Sequence, residues 1–141
     1  MPHQVIVYVL TALAAVVIVL TRVRLAGDDV TAGRSQVGRA LLDAHTVTGV
    51  LALVTWTAFL VAPADSFLGS DAAGIVALAF WWAVVALGML ILARWVPSGG
   101  KRASAPVGDT WSDGPGLSVV AHVGMLVAVV VFTWDYLFSV V

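Results

Sequence analysis

The sequence predicts an all-α membrane protein of four transmembrane helices, with the N-terminus and the C-terminus both outside. Of its 141 residues, 61% are hydrophobic and only 11% are charged, which lies outside the range of soluble domains. Four apolar runs are long enough to cross a hydrocarbon core about 30 Å thick at about 1.5 Å per residue. The basic residues all lie in two of the connections between these runs or at the ends of the runs that precede them. We therefore expect one transmembrane domain that covers residues 1–141, with helices at about 4–22, 40–62, 73–95 and 116–140.

Each run has its own justification as a helix. The first lacks the basic segment that opens a signal peptide and leads directly into Arg22 and Arg24, as expected of an uncleaved anchor. The second and third are uninterrupted apolar stretches without proline. The fourth follows Pro115, whose fixed φ suits the first turn of a helix.

The orientation follows from the basic side chains, which remain on the cytoplasmic side of a membrane. The connection after the second run carries only Asp65 and Asp71 as charged residues. All seven basic residues lie in the first and third connections or at the ends of the helices that precede them, so the loops 23–39 and 96–115 are predicted to be cytoplasmic. All eight acidic residues are Asp, a compositional bias that we interpret as that of a GC-rich bacterium. Together with the four apolar runs, this predicts a multi-pass protein of the bacterial plasma membrane. The basic residues are Arg22, Arg24, Arg34, Arg39, Arg94, Lys101 and Arg102.

Composition and missing motifs exclude several functions. The net charge is −1 and the basic residues are split, which argues against a nucleic-acid partner. The chain has no cysteine, so disulfides, thiolate metal sites and iron–sulfur clusters are excluded. It also lacks a glycine-rich phosphate loop and a His-Glu-x-x-His motif. We predict no catalytic residue and no metal site, and we expect that the protein has no catalytic activity of its own.

The two halves of the chain resemble each other. The second run opens with Ala44-His45 and reaches Thr55-Trp56, and the fourth opens with Ala121-His122 and reaches Thr133-Trp134. These matches lie 77 and 78 residues apart and indicate two tandem helical hairpins. Both copies would insert in the same orientation, related by a pseudo-twofold axis along the membrane normal.

His45 and His122 are the histidines that could bind a cofactor. Both lie a few residues inside helices of the same direction, so they share one depth, and two facing imidazoles are the axial ligands of a six-coordinate haem b. Gly49 and Gly124 would leave room for the macrocycle. Through its His-x-x-x-Gly spacing the chain resembles the four-helix cytochromes b of membranes. The alternatives are that both histidines are structural and lie near the inner interface, or that they serve proton transfer or contact a quinone. Asp43 is explained by an ion pair with Arg39.

Other polar and aromatic residues are candidates for contacts with a partner. Asp135 lies about 20 Å beyond His122 and is expected at the solvated outer rim, or else against a partner subunit. Trp81 and Trp82 point about 100° apart, so at least one of them should face lipid or another protein. Further tryptophans are expected in the interfacial belts, namely Trp56 and Trp134 outside and Trp95 and Trp111 inside.

A resemblance bears on function. The stretch from Thr110 to Leu117, which reads Thr-Trp-Ser-Asp-Gly-Pro-Gly-Leu, and the stretch from Ala121 to Met125 are similar to those of small membrane accessory subunits of actinobacterial respiratory chains. Those subunits are attached to the cytochrome bcc-aa3 supercomplex. The resemblance implies a non-catalytic, stabilising subunit without a cofactor, with oxidase or cytochrome bc-type membrane subunits as partners. The alternatives are an electron-transfer protein with haem b on His45 and His122, and an oligomeric permease.

Overall fold

The computed structural model describes residues 2–26, 39–95 and 116–138, and within them the side chains of 3–19, 40–93 and 119–138. The described residues form four α-helices. Their bounds are α1 Pro2–Ala26, α2 Arg39–Val61, α3 Asp71–Trp95 and α4 Gly116–Leu137. Every predicted run is thus a helix. The first extends four residues further than predicted, into the segment expected to be a loop, and the fourth ends three residues earlier.

The helices have the length and composition of membrane spans. Three of them qualify by both criteria, over Ala40–Val61, Asp71–Ala93 and Val119–Leu137. The described apolar part of α1, His3–Val19, is 17 residues long and spans roughly 25 Å at the rise of an α-helix. Large apolar side chains such as Val54, Ile75 and Val127 are more than half exposed, as lipid permits and water does not. The structure is that of a four-helix membrane protein.

The four helices form a ring of antiparallel neighbours. Each helix packs against the one before and after it in the chain, and α1 closes the ring against α4. Among the described residues, α2 and α3 share the largest interface and α1 makes the least contact with its neighbours. Within the described residues, α2 and α4 therefore stand on one diagonal. We call the end where α2 and α4 begin the basic end, and the end that holds Pro2, Leu137 and the connection 62–70 the terminal end.

A layer of aromatic rings fills the middle of the bundle. The rings of Trp56 and Trp81 lie 5.0 and 5.6 Å from that of Phe132, centre to centre, and all three side chains are fully buried. Trp56 donates its indole N–H to the hydroxyl of Thr11 on α1 at 3.2 Å. Lipid is as apolar as the interior of the bundle, so in a membrane this layer stabilises the fold through close packing.

A compact connection at the terminal end fixes the start of α3. Ser70 precedes the helix, and its hydroxyl accepts a hydrogen bond from the N–H of Ala73, as an N-cap does. Gly69 lies so close to Pro63 that a Cβ atom would clash with the carbonyl of that proline. Glycine is therefore required at this turn.

The two hairpins are equivalent at the histidines but not at the tryptophans. Trp56 is fully buried, whereas Trp134 is 58% exposed. The interval from His45 to Trp56 is 11 residues and that from His122 to Trp134 is 12, and one additional residue rotates a helical side chain by about 100°. The prediction that Trp56 lies in the outer aromatic belt was wrong, because its ring points into the bundle.

Candidate functional site

His45 and His122 meet inside the bundle. Their ring centres lie 6.0 Å apart and their planes differ by 22°. The two residues extend from α2 and α4, the helices on one diagonal of the ring, so the pair spans the interior instead of lying along one seam. The prediction that both histidines share one depth is confirmed by this contact.

Gly88 of α3 lies beside both imidazoles. A Cβ atom built on Gly88 would be 2.6 Å from Cδ2 and 3.0 Å from Nε2 of His122, and 3.2 Å from Cε1 of His45. The Nε2 atom of His122 and the Cε1 atom of His45 therefore both lie next to the α carbon of Gly88. Any side chain at position 88 would push the two rings apart, and glycine allows α3 to approach them.

A cavity of about 70 Å³ extends from the histidine pair toward the terminal end. The polar groups in its walls belong to Thr46, the two histidines and the indole of Trp81. The other residues that line it are apolar. Because neutral groups surround the cavity, it is a region of low dielectric constant. Its walls are formed by Ile18, His45, Thr46, Gly49, Trp81, Val84, Val85, Ala121, His122 and Met125.

Two nitrogen atoms in this region are buried without a hydrogen-bond partner. They are Nδ1 of His45 and Nε1 of Trp81. A buried polar atom without a partner costs about 1–3 kcal/mol, so such an atom is a sign of a ligand or of strain. Among the described residues, no third histidine or carboxylate joins the pair to complete a metal site. Any ion held here would take its protein ligands from the two imidazoles.

The spacing of the two rings matches that of two imidazoles on one haem iron, but the cavity does not fit a haem macrocycle. With a metal–nitrogen bond of about 2.0 Å and a ring radius of ~1.1 Å, two axial imidazoles have centres ~6 Å apart, close to the 6.0 Å found here. Ligand pockets for larger molecules usually enclose roughly 300–1,000 Å³, far more than the cavity of about 70 Å³. Gly88 also occupies the space beside the rings. A macrocycle requires the helices around the pair to separate.

The glycines illustrate what the sequence did and did not reveal. Gly49 lines the cavity as expected, with Val84 and Ile18 within 4 Å of its Cβ direction. The prediction that Gly124 makes room beside the pair was wrong. This residue is exposed and faces away from the histidines, and a Cβ atom built on it meets nothing within 4 Å. Gly88 was missed. Its signal was depth: it lies seven residues before the end of α3, and each histidine lies six residues after the start of its helix.

Asp135 occupies a second polar site at the terminal end. The expectation of a solvated rim was wrong, because this carboxylate is 1% exposed. Its Oδ1 atom lies 3.3 Å from Nδ1 of His3, within ion-pair range, yet neither carboxylate oxygen has a hydrogen bond from the described part of the chain. His3 remains 55% exposed. No sequence pattern indicated this pair, since the two residues lie near opposite ends of the chain.

The tryptophans proposed for partner contacts separate into two groups. Trp81 is 1% exposed and packs inside this chain, so it is not presented to a partner. Trp82 is 42% exposed and confirms that one of the adjacent pair faces outward, while its indole N–H is bonded to the hydroxyl of Thr133 at 3.1 Å. Trp111 lies outside the described residues.

No family model, curated protein or solved structure matches this chain. Most of the stretch Thr110–Leu117, which carries the resemblance to respiratory accessory subunits, lies outside the described residues. In the second stretch, Ala121, His122 and Met125 line the cavity. These three residues face the interior of the bundle and contribute to the candidate site.

Proposed function

We propose that this protein is an electron carrier of the membrane that holds one b-type haem between His45 and His122. The observation that carries the proposal is the position of the two imidazoles on diagonal helices, 6.0 Å apart and half-buried in the bundle. The same distance occurs between ordinary packed aromatic rings. The unpaired ring nitrogen of His45 and the close approach of Gly88 favour a pair of ligands over simple packing.

The chain would supply ligands, insulation and position. When bound, a haem iron with two imidazole ligands has no open coordination site, so it transfers single electrons and does not activate oxygen. The side chains of Val84, Val85 and Met125 line the cavity beside the pair with apolar groups. Imidazoles are neutral ligands, and a net charge is costly in apolar surroundings, so the site favours the state of lower total charge. The helices hold both ligands on rigid elements.

A visible spectrum of the protein, purified alone in mild detergent, tests the proposal. We expect haem in a one-to-one ratio to the chain, with the reduced-minus-oxidised difference spectrum of bis-histidine ligation. His45→Ala and His122→Ala should each abolish it. His3→Gln is the matched control, since it removes the third histidine at the far end and keeps a donor for Asp135. A colourless protein that also fails to bind added hemin refutes the proposal, as does haem retained in both alanine variants.

A second candidate is the predicted accessory subunit of a respiratory complex in the bacterial plasma membrane. The observation that favours it is Trp82, which is 42% exposed in the middle of α3, while tryptophan is usually enriched at membrane interfaces. A partner subunit on this face would cover the ring. Isolation from native membranes should then yield stoichiometric oxidase or cytochrome bc-type subunits, lost in Trp82→Ala and kept in Trp134→Ala. Isolation of the chain by itself refutes this candidate.

A further inference from the structure

Asp135 differs from the other acidic side chains that the structure describes. The side chains of Asp43, Asp65 and Asp71 are exposed. Asp135 is 1% exposed, and neither of its carboxylate oxygens has a hydrogen bond from the described part of the chain. An ionised carboxylate without donors is costly in apolar surroundings, so an acidic residue in a transmembrane helix is a candidate for function whose partner has to be identified.

His3 is the partner of this carboxylate. Its Nδ1 atom lies 3.3 Å from Oδ1 of Asp135, and the two residues lie at the terminal ends of α1 and α4. Their access to water differs, because the histidine side chain is 55% exposed while the aspartate is buried. An imidazole has two nitrogen atoms, so it can take a proton from solvent and hold it toward a buried acceptor. His3 therefore connects Asp135 to the aqueous phase at the terminal end.

The interior side of Asp135 is closed by apolar side chains. Phe132 lies three residues before Asp135 on the same face of α4, and it is fully buried. On α1, Val7 lies one turn after His3 and is fully buried as well. The next polar side chain on that face of α1 is Thr11, whose hydroxyl already donates one hydrogen bond and accepts another. Protons therefore reach Asp135 from the side of His3.

Other titratable groups at the terminal end are committed elsewhere or lie in solvent. The hydroxyls of Tyr8 and Tyr136 donate hydrogen bonds to backbone carbonyls. Asp65 and Asp71 are exposed. Among the described residues, no lysine or arginine lies at this end of the bundle. His3 is thus the described group that can offset the charge of the buried carboxylate.

We propose that His3 and Asp135 form a proton-binding site that exchanges with the aqueous phase at the terminal end. With one proton bound, the pair is an imidazolium beside a carboxylate and is neutral overall. When His3 releases that proton to water at alkaline pH, the buried carboxylate loses its counter charge, which is costly. The bound proton therefore holds α1 against α4. The site is independent of the proposed haem site, which lies about 20 Å away along α4.

Infrared spectroscopy of the full chain in detergent tests the site, because a carboxylic acid has a C=O stretch that a carboxylate lacks. His3→Gln removes the charge and keeps a hydrogen-bonding side chain, whereas His3→Lys keeps a positive charge. At about pH 7, Asp135 should be protonated in His3→Gln and ionised in His3→Lys and in the unmodified protein. Each band is assigned by its loss on Asp135→Asn. An ionised Asp135 in His3→Gln overturns the proposal, as does a protonated one in the unmodified protein.

The pH dependence of stability tests the contact between the helices. The folded-to-unfolded ratio is measured in mixed detergent from about pH 5 to about pH 9 for the unmodified protein and His3→Lys, which share the titration of His45 and His122. Raising the pH should lower this ratio at least ~10-fold more in the unmodified protein, because lysine keeps its charge over the range. Equal responses overturn the proposal. If His3→Gln does not fold, rescue by added Asp135→Asn supports the site, and failure of rescue assigns His3 a packing role and overturns it.

Discussion

The replacement of Gly88 by alanine is the most direct test of the histidine pair. The new methyl group would lie 2.6 Å from Cδ2 of His122, and ordinary contact begins at 3.4 Å, so the ring or the backbone of α3 must shift to restore the missing 0.8 Å. Overpacking of this kind costs about 1–3 kcal/mol. Alanine also gains about 1 kcal/mol of helix propensity over glycine, which partly hides this cost.

A matched control isolates the steric cost. Gly124→Ala makes the same chemical change on α4 at an exposed position where a Cβ meets nothing within 4 Å. The difference between the two variants should therefore be about 1–3 kcal/mol in the free energy of unfolding, measured in mixed detergent by tryptophan fluorescence. If haem binding requires the present ring positions, hemin affinity should fall by about 5–150-fold in Gly88→Ala alone. Equal stability and equal affinity in the two variants would refute the geometry of the pair.

Three further predictions concern the rest of the bundle. Thr11→Val leaves a buried indole N–H without its acceptor and should cost about 1–3 kcal/mol of unfolding free energy, whereas Thr55→Val, which removes a hydroxyl bonded only within its own helix, should cost less. The reverse order would contradict the buried bond. His3→Ala leaves the Asp135 carboxylate buried without a partner and should destabilise the protein, and adding Asp135→Leu should restore stability; an additive loss in the double variant argues against coupling. Phe67→Cys in the exposed connection should react with a membrane-impermeant maleimide from outside intact cells, and reaction only after lysis would reverse the predicted orientation.

The sequence predicted the helices well because the membrane leaves few alternatives. A backbone in hydrocarbon must satisfy its own hydrogen bonds, so an apolar run of about 20 residues has to be a helix. The depth of His45 and His122 was also predictable, since both helices start at the same end and each residue adds a fixed rise. Their contact follows once the helices form a ring.

Rotation of each helix about its axis was not predictable. The four helices are apolar on all faces, so the periodicity that identifies the inner face of a soluble helix is missing. For this reason Gly124 was placed in the pocket and Asp135 in water, although each belongs on the opposite face. The His3–Asp135 pair adds a second difficulty. It joins the two ends of the chain, and no local pattern records such a contact.

The depth of the histidine pair has an electrical consequence. His45 lies six residues from the start of α2, which is at most about 9 Å along the helix, in a hydrocarbon core about 30 Å thick. An electron that enters the proposed site from the basic end therefore crosses about a third of the membrane field or less. A full crossing is worth about 2.3 kcal/mol per 100 mV, so this step is worth roughly 0.7 kcal/mol at most. Exchange with a donor on that side would respond only weakly to the membrane potential, whereas transfer to the terminal end would cross the remaining two thirds of the field and respond more strongly.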